Sequence, residues 1–172
     1  DTKPTNVQAG SRYEETDTRK IYTKFDANAY HSEVWYEAGT VPYAGGRGVF
    51  GGGTTNSNVM DYIMIDTTGN ATDFGDLTVG RSSLAGGGRS TTRGIFAGGE
   101  SSTTNTMDYI TIATTGNATD FGDLTVARRG LGGVSSDTRF VVGGGYTGAL
   151  SNVMDYVTID TTGNATDFGD LT

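Results

Sequence analysis

The sequence lacks cysteine altogether and has only 1 histidine and 2 prolines among its 172 residues. Without cysteine, the chain can form neither disulfides nor thiolate metal sites, so packing and backbone hydrogen bonds must hold it together. The single imidazole, His31, is also the only candidate base for Ser-His-Asp or Cys-His catalysis. We therefore predict a non-enzymatic protein with no catalytic residues, no metal site and no cofactor.

Basic residues are scarce as well, with 12 Lys and Arg against 20 Asp and Glu and a formal net charge of −8. Binding to nucleic acid depends on Lys and Arg that neutralise phosphates, and anionic membranes attract the same residues. The chain also has no run of about 18 apolar residues, the length that a membrane-spanning helix requires. We expect no nucleic-acid partner and no membrane insertion.

Glycine, in contrast, is abundant, with 28 residues. That is more than twice the usual share of about 7%. Val, Ile, Tyr and Phe alternate with polar residues between the glycines, a pattern typical of many short strands joined by tight turns. The composition predicts an all-β fold.

The second feature present is an internal repeat with a spacing of 47 residues. The segment TTGNATDFGDLT occurs three times without change, at 67–78, 114–125 and 161–172. Upstream of it stand MDYIMID, MDYITIA and MDYVTID, and before these stand RGVFGGG, RGIFAGG and RFVVGGG. Strand patterns and turn residues predict about four strands in each of three units, at 43–92, 93–138 and 139–172.

These units resemble the kelch repeat of β-propellers. The shared features are a glycine pair after an apolar strand, an aromatic residue on a later strand and an arginine after it: Gly52-Gly53, Gly98-Gly99 and Gly144-Gly145; Phe74, Phe121 and Phe168; Arg81 and Arg128. The repeats differ from the family in having Phe for Trp and a longer spacing from Tyr to the aromatic residue. The resemblance implies propeller blades.

Three blades are fewer than the four to eight that propellers usually have. Val41–Gly46 would complete the last sheet of an unusually small ring, or chains would share blades, or the blades would belong to a longer array. A β-trefoil or a β-prism is the alternative fold, since each also combines three units of four strands.

Residues 1–42 differ from the repeats and contain the only tryptophan, Trp35. YEETDTRKIY and the later WYEAGT predict two or three strands, and they resemble a small module of tailed-bacteriophage virion proteins. The GNATDFGDLT repeats are similar to those of large structural proteins of marine phages.

This resemblance implies a structural protein of the virion, a tail fibre or similar appendage, with residues 1–42 as its attachment module. Other virion proteins, further copies of the chain and a host-surface glycan or protein would be its partners. The alternative is a free, lectin-like carbohydrate-binding module.

The repeated acidic residues suggest two kinds of site. Asp73 and Asp76 resemble the carboxylate pair of a glycosidase, and with Asn70 they offer oxygen ligands for Ca²⁺. However, the same residues recur in all three repeats, whereas a catalytic pair is needed once. Repetition favours a structural role, such as turn capping or hydrogen bonds to the neighbouring unit.

The loops after the glycine pairs vary between repeats, in contrast to the strands. They read TTNSNV, ESSTTNT and YTGALSNV, at 54–59, 100–106 and 146–153. Differences between stacked repeats often map to a binding face, although exposed loops also vary because little constrains them. Tyr146 and Leu150 are the candidate apolar contacts for a ligand, with Asn56 and Asn105 as the polar candidates.

Overall fold

The computed structural model describes residues 12–14, 21–25, 34–37, 46–87 and 92–172. The chain forms two compact units, Asp1–Ala44 and Gly45–Thr172. The described residues form strands, turns and irregular segments and include no helix, so the predicted all-β class is confirmed there. None of the described residues belongs to a helix with the length and apolar character needed to cross a membrane.

The first unit contains a three-stranded antiparallel sheet in the order β1-β2-β3. Its strands are β1 (Arg12–Glu14), β2 (Ile21–Phe25) and β3 (Val34–Glu37). The sequence predicted two or three strands in this part of the chain. His31 lies outside the described residues, and the attachment role of this unit stays a prediction.

The second unit contains three antiparallel sheets in which strands that follow one another in sequence are also neighbours in the sheet. The first sheet has β4 (Arg47–Gly51), β5 (Val59–Met64) and β6 (Thr72–Asp76); the second has β7 (Ala85–Gly87), β8 (Arg93–Ala97), β9 (Thr106–Thr111) and β10 (Thr119–Asp123); the third has β11 (Gly132–Ser135), β12 (Arg139–Gly143), β13 (Val153–Thr158) and β14 (Thr166–Asp170).

The grouping of strands differs from the predicted one at β7 and β11. The sequence placed these weak, glycine-rich strands at the end of the first and second repeats. In the structure each begins the following sheet, because its hydrogen-bonding partner is the next strand along the chain, β8 or β12. The third sheet has four described strands, β11 to β14. Residues 41–45 of the predicted closing segment Val41–Gly46 lie outside the described residues, so its role stays a prediction.

The last strand of each sheet has a bulge at one aromatic residue, and in the first two sheets this residue lies between sheets. Met60 pairs with Gly75 and Asp61 pairs with Asp73, so Phe74 is the extra residue on β6. The same register shift recurs on β10 and β14. Because a bulge redirects a side chain, Phe74 is buried, with 2% of its surface exposed.

The apolar core lies between sheets rather than within any one of them. One cluster joins the first and second sheets through Met60, Phe74, Leu77, Phe96 and Ile110. A second cluster joins the second and third sheets and includes Phe121, Leu124, Phe140, Val142 and Ile159. Each sheet therefore depends on its neighbour to bury its apolar face, as stacked repeats do.

These junctions explain why the twelve-residue segment does not vary. At each junction, the turn of one copy hydrogen-bonds to the strand of the preceding copy. The Gly116 and Ala118 N–H groups donate to the carbonyl oxygens of Phe74 and Asp76, at 2.7 and 2.8 Å. The Asp76 N–H donates to Asn117 Oδ1 at 3.1 Å. The same three hydrogen bonds recur 47 residues later, at 2.8, 2.8 and 3.1 Å. The second copy thus presents its Gly-Asn-Ala turn to the first repeat and its Asp-Phe-Gly-Asp strand to the third.

A buried ion pair also crosses each junction. Arg81 Nη2 lies 2.6 Å from Asp108 Oδ2, and Arg128 Nη2 lies 2.7 Å from Asp155 Oδ2, with all four side chains fully buried. Arg81 Nη1 also donates to the Thr106 carbonyl at 2.7 Å. Burial lowers the pKa of Arg81, and the charge of Asp108 acts in the opposite direction. Since arginine stays protonated in proteins, the pair is ionic.

Substitution of Gly122 by Ala should destabilise the protein more than the same substitution at Gly169. Both glycines have positive φ, +137° and +127°, and the same sequence around them. A Cβ at Gly122 would lie 2.5 Å from the Gly163 carbonyl oxygen, whereas a Cβ at Gly169 meets nothing within 4 Å. We expect a difference of about 1–3 kcal/mol in the free energy of unfolding. Urea unfolding measures this difference. Equal losses of stability in the two variants would contradict the contact between Gly122 and the turn of the third repeat.

Substitution of Arg128 by Met should cost about 3–5 kcal/mol, because it leaves Asp155 buried without its partner. The double variant R128M/D155L should recover most of that loss, since apolar replacement of both members of a buried pair is often neutral. Asp137→Asn, at an exposed position, is the matched charge control. Its effect should stay within about 0.5 kcal/mol. Urea unfolding of the four proteins tests the prediction, and a double variant no more stable than R128M would contradict it.

Candidate functional site

A surface cleft of about 380 Å³ lies where the variable loops meet the junction between the second and third repeats. Its lining includes Ser83, Glu100, Arg129, Tyr146 and Leu150. Ser83 and Arg129 come from the segments that follow the last strand of a sheet. The other three come from the segments that follow the glycine pairs.

The glycine pairs determine where these segments lie. Gly144 and Gly145 have φ of +68° and +99° and turn the chain after β12. A Cβ at Gly145 would lie 2.7 Å from the Arg129 carbonyl oxygen, so glycine permits the close approach. The Tyr146 N–H then donates to the Arg129 carbonyl at 2.9 Å, and the Arg129 N–H donates to the Tyr146 carbonyl at 3.2 Å.

The preceding junction has the same backbone pairing but different side chains. The Glu100 N–H donates to the Ser82 carbonyl at 2.7 Å, and the Ser82 N–H donates to the Glu100 carbonyl at 3.0 Å. Ser82 therefore occupies the place of Arg129, and Glu100 occupies the place of Tyr146. The scaffold is constant between repeats, and the chemistry of the cleft comes from positions that differ.

Arg129 links the polar and aromatic parts of the cleft. Its guanidinium forms an ion pair with Glu100 Oε1 and lies 5.1 Å from the centroid of the Tyr146 ring. The hydrogen bond from Arg129 lowers the pKa of Glu100, and the same bond raises the pKa of Arg129. Both groups are thus charged at neutral pH. Exposed ion pairs add little stability. The Arg129–Glu100 pair is of interest for function because it presents hydrogen-bond donors and an acceptor to solvent.

The arrangement suits a ligand that has both hydroxyl groups and an apolar face. Tyr146 is 39% exposed and Leu150 is 92% exposed, next to the charged pair. Small-molecule sites combine apolar walls with a few convergent polar groups in this way. Arg129 can donate hydrogen bonds to ligand oxygens and Glu100 can accept them from hydroxyls, while the Tyr146 ring offers a flat apolar surface. A sugar has this combination of groups.

The structure brings two of the four predicted binding residues together. Tyr146 and Leu150 form an isolated β-bridge and line the same cleft. That they bind a ligand stays a prediction.

The structure places the two asparagines elsewhere. Asn56 lies in the first-repeat loop, where its Oδ1 accepts a hydrogen bond from Ser82 Oγ at 3.3 Å. Asn105 is half-buried, and its carbonyl accepts the Leu124 N–H at 2.8 Å. The equivalent Asn58 and Asn152 carbonyls accept the N–H groups of Leu77 and Leu171. Asn105 thus has a role common to all three repeats, which does not distinguish it as a ligand contact.

The sequence interpretation missed Glu100 and Arg129. A signal for Arg129 was present, since the second repeat reads Arg128-Arg129 where the first reads Arg81-Ser82. The first arginine of each segment belongs to the buried pair. An additional arginine next to it therefore marks a surface feature specific to that junction.

The repeated acidic residues contribute to the junctions through their backbone. The N–H and carbonyl groups of Asp76 and Asp123 bind the turn of the next repeat. The asparagine beside Asp76 is Asn117 of the second repeat, whereas the proposed Ca²⁺ ligand was Asn70 of the same repeat. Among the described residues, no group of three or more His, Cys, Asp or Glu side chains is arranged to hold a metal ion.

No family model and no curated protein matches the chain. The resemblance to kelch repeats and to phage virion proteins therefore depends on the residues quoted above. What it implies about function is a proposal.

Proposed function

We propose that the chain is a non-enzymatic structural protein of a tailed-bacteriophage virion, part of a tail fibre or similar appendage. Its repeats serve as kelch-like propeller blades that form a rigid β scaffold. The cleft at Arg129, Glu100 and Tyr146 contacts a glycan or protein of the host surface, and other virion proteins hold the scaffold in place.

The arrangement of strands supports blades over a trefoil or prism. The second and third sheets are four-stranded antiparallel meanders, as propeller blades are. Their first strands approach closely, since a Cβ at Gly133 would lie 3.2 Å from the Gly86 carbonyl oxygen. Phe168 of the third unit is 49% exposed, which fits an open row of blades better than a closed trefoil, prism or ring.

The main support for a structural role is that invariant and variable residues have different functions within each repeat. The residues that do not vary form the two junctions through the same hydrogen bonds and the same buried ion pair. Chemistry that differs between repeats includes the cleft residues Glu100, Arg129 and Tyr146. A constant framework with variable surface positions is typical of repeat scaffolds that bind partners.

The virion role is tested by locating the protein in purified particles. We expect peptides of the chain to copurify with virions through a density gradient, and antibodies to the chain to label an appendage in electron micrographs. Soluble host protein added before the gradient is the control for adhering material. Peptides confined to the soluble fraction of the lysate would overturn the proposal.

The cleft favours one second candidate, a free carbohydrate-binding module. It predicts that the soluble protein binds sugars on a glycan array and that Tyr146→Ala weakens binding at least about tenfold, equivalent to about 1.4 kcal/mol. Asn56→Ala is the control, because Asn56 lies in a variable loop of another repeat. Sugar binding that Y146A leaves unchanged would exclude the cleft as the site.

A further inference from the structure

Identical residues have different environments in the last repeat. Phe74 and Phe121 are 2% exposed, whereas Phe168 is 49% exposed. Leu77 and Leu124 are 3% exposed, whereas Leu171 is 47% exposed. The first two copies are covered by the following repeat. We call the uncovered surface of the third repeat, with Phe168, Leu171 and Arg139, the trailing face.

The first repeat has an uncovered surface of the opposite kind. Phe50 is 61% exposed, whereas its counterparts Phe96 and Val142 are 6% and 1% exposed. Ile65 is 65% exposed, whereas its counterpart Ile159 is fully buried. These counterparts pack against the preceding repeat. We call the surface with Phe50, Ile65 and the turn 69–71 the leading face.

The aromatic groups of the trailing face are already arranged as in a formed junction. Tyr156 and Phe168 meet edge to face at 5.9 Å, and the two buried pairs do so at 6.0 Å. Arg139 lies 4.6 Å from the Tyr156 ring, and its counterparts Arg47 and Arg93 lie 4.3 and 4.2 Å from theirs.

Those two arginines donate hydrogen bonds across a junction. Arg47 donates to the Ile112 carbonyl at 2.7 Å, and Arg93 donates to the Ile159 carbonyl at 3.0 Å. The residue of the leading face that corresponds to Ile112 and Ile159 is Ile65.

We propose that the chain associates head to tail, with the trailing face of one copy bound to the leading face of a second copy. The contact repeats the junction found twice within the chain. Phe168 and Leu171 pack against Phe50 and Ile65, and the turn 69–71 hydrogen-bonds to the edge of β14.

Polar groups for the same contact are present on both faces. Asn70 stands in the place of Asn117 and Asn164, which accept a backbone N–H of the neighbouring repeat. Thr172 stands in the place of Thr125, whose hydroxyl donates to Asp155 at 2.6 Å, and Asp61 stands in the place of Asp155. We expect this contact, which joins separate chains, to depend on concentration.

The two faces differ from each other, so the contact is heterologous and each copy retains one unused face after the first contact. Two copies joined at both faces would form a ring of six repeat sheets, within the four to eight blades that closed propellers have. We expect the associated species to have twice the mass of one chain. This inference is independent of the virion role, because the purified chain alone should associate.

Sedimentation velocity over a roughly hundredfold concentration range tests the association, which follows mass action. The wild-type chain should shift from monomer towards dimer. Phe168→Asp and Phe50→Asp each disable one face in every copy, so each variant alone should remain monomeric. An equimolar mixture should form a dimer again, because an intact leading face of one variant meets an intact trailing face of the other.

Val126→Asp is the control, since Val126 is 41% exposed within a formed junction and its counterpart Val79 is 44% exposed. It should associate as the wild type does. Thermal unfolding verifies that each variant folds, and Leu171→Asp and Ile65→Asp repeat the test at a second site on each face. A wild-type chain that stays monomeric, folded variants that still associate, or a mixture that stays monomeric would overturn the proposal.

Discussion

The arginine–aspartate pair that crosses each repeat junction is the interaction on which the order and register of the sheets depend. Apolar contacts between sheets are non-directional. The guanidinium, in contrast, must meet one carboxylate and nearby carbonyl oxygens at the same time. A buried pair adds little net stability over an apolar replacement, but losing one partner is costly. The pair therefore selects one way of stacking the repeats.

The twelve-residue segment adds a second constraint, because its middle copy acts twice. The Gly-Asn-Ala turn of that copy binds the first repeat, and its Asp-Phe-Gly-Asp strand accepts the turn of the third repeat. Gly122 permits the approach of the Gly163 carbonyl oxygen, and Asn164 accepts the Asp123 N–H. The segment must fit two partners at once, which leaves little room for change. The segments that form the cleft pair with the preceding repeat through backbone groups of Glu100 and Tyr146, so their side chains are open to functional variation.

Burial of apolar surface between neighbouring sheets underlies the fold, the proposed scaffold and the proposed assembly. A sheet that buries its apolar face only against a neighbour leaves that face uncovered wherever the neighbour is missing. Phe74 and Phe168 have the same local sequence, yet Phe74 is buried against the second repeat, whereas Phe168 is 49% exposed. Contiguous exposed apolar surface commonly marks interaction sites. The cleft lies beside a junction rather than on an end face, so binding a ligand and binding a second copy use separate surfaces.

Local patterns in the sequence determined the all-β class, the 47-residue repeat, the strands and the glycine turns, because alternation and turn chemistry involve residues close together in the chain. The tertiary structure decided what those patterns leave open. It assigned β7 and β11 to the following sheets, paired Arg81 with Asp108, and brought Glu100, Arg129 and Tyr146 together. Each of these depends on contacts between residues of different repeats, far apart in the chain, and such contacts form only when the repeats stack.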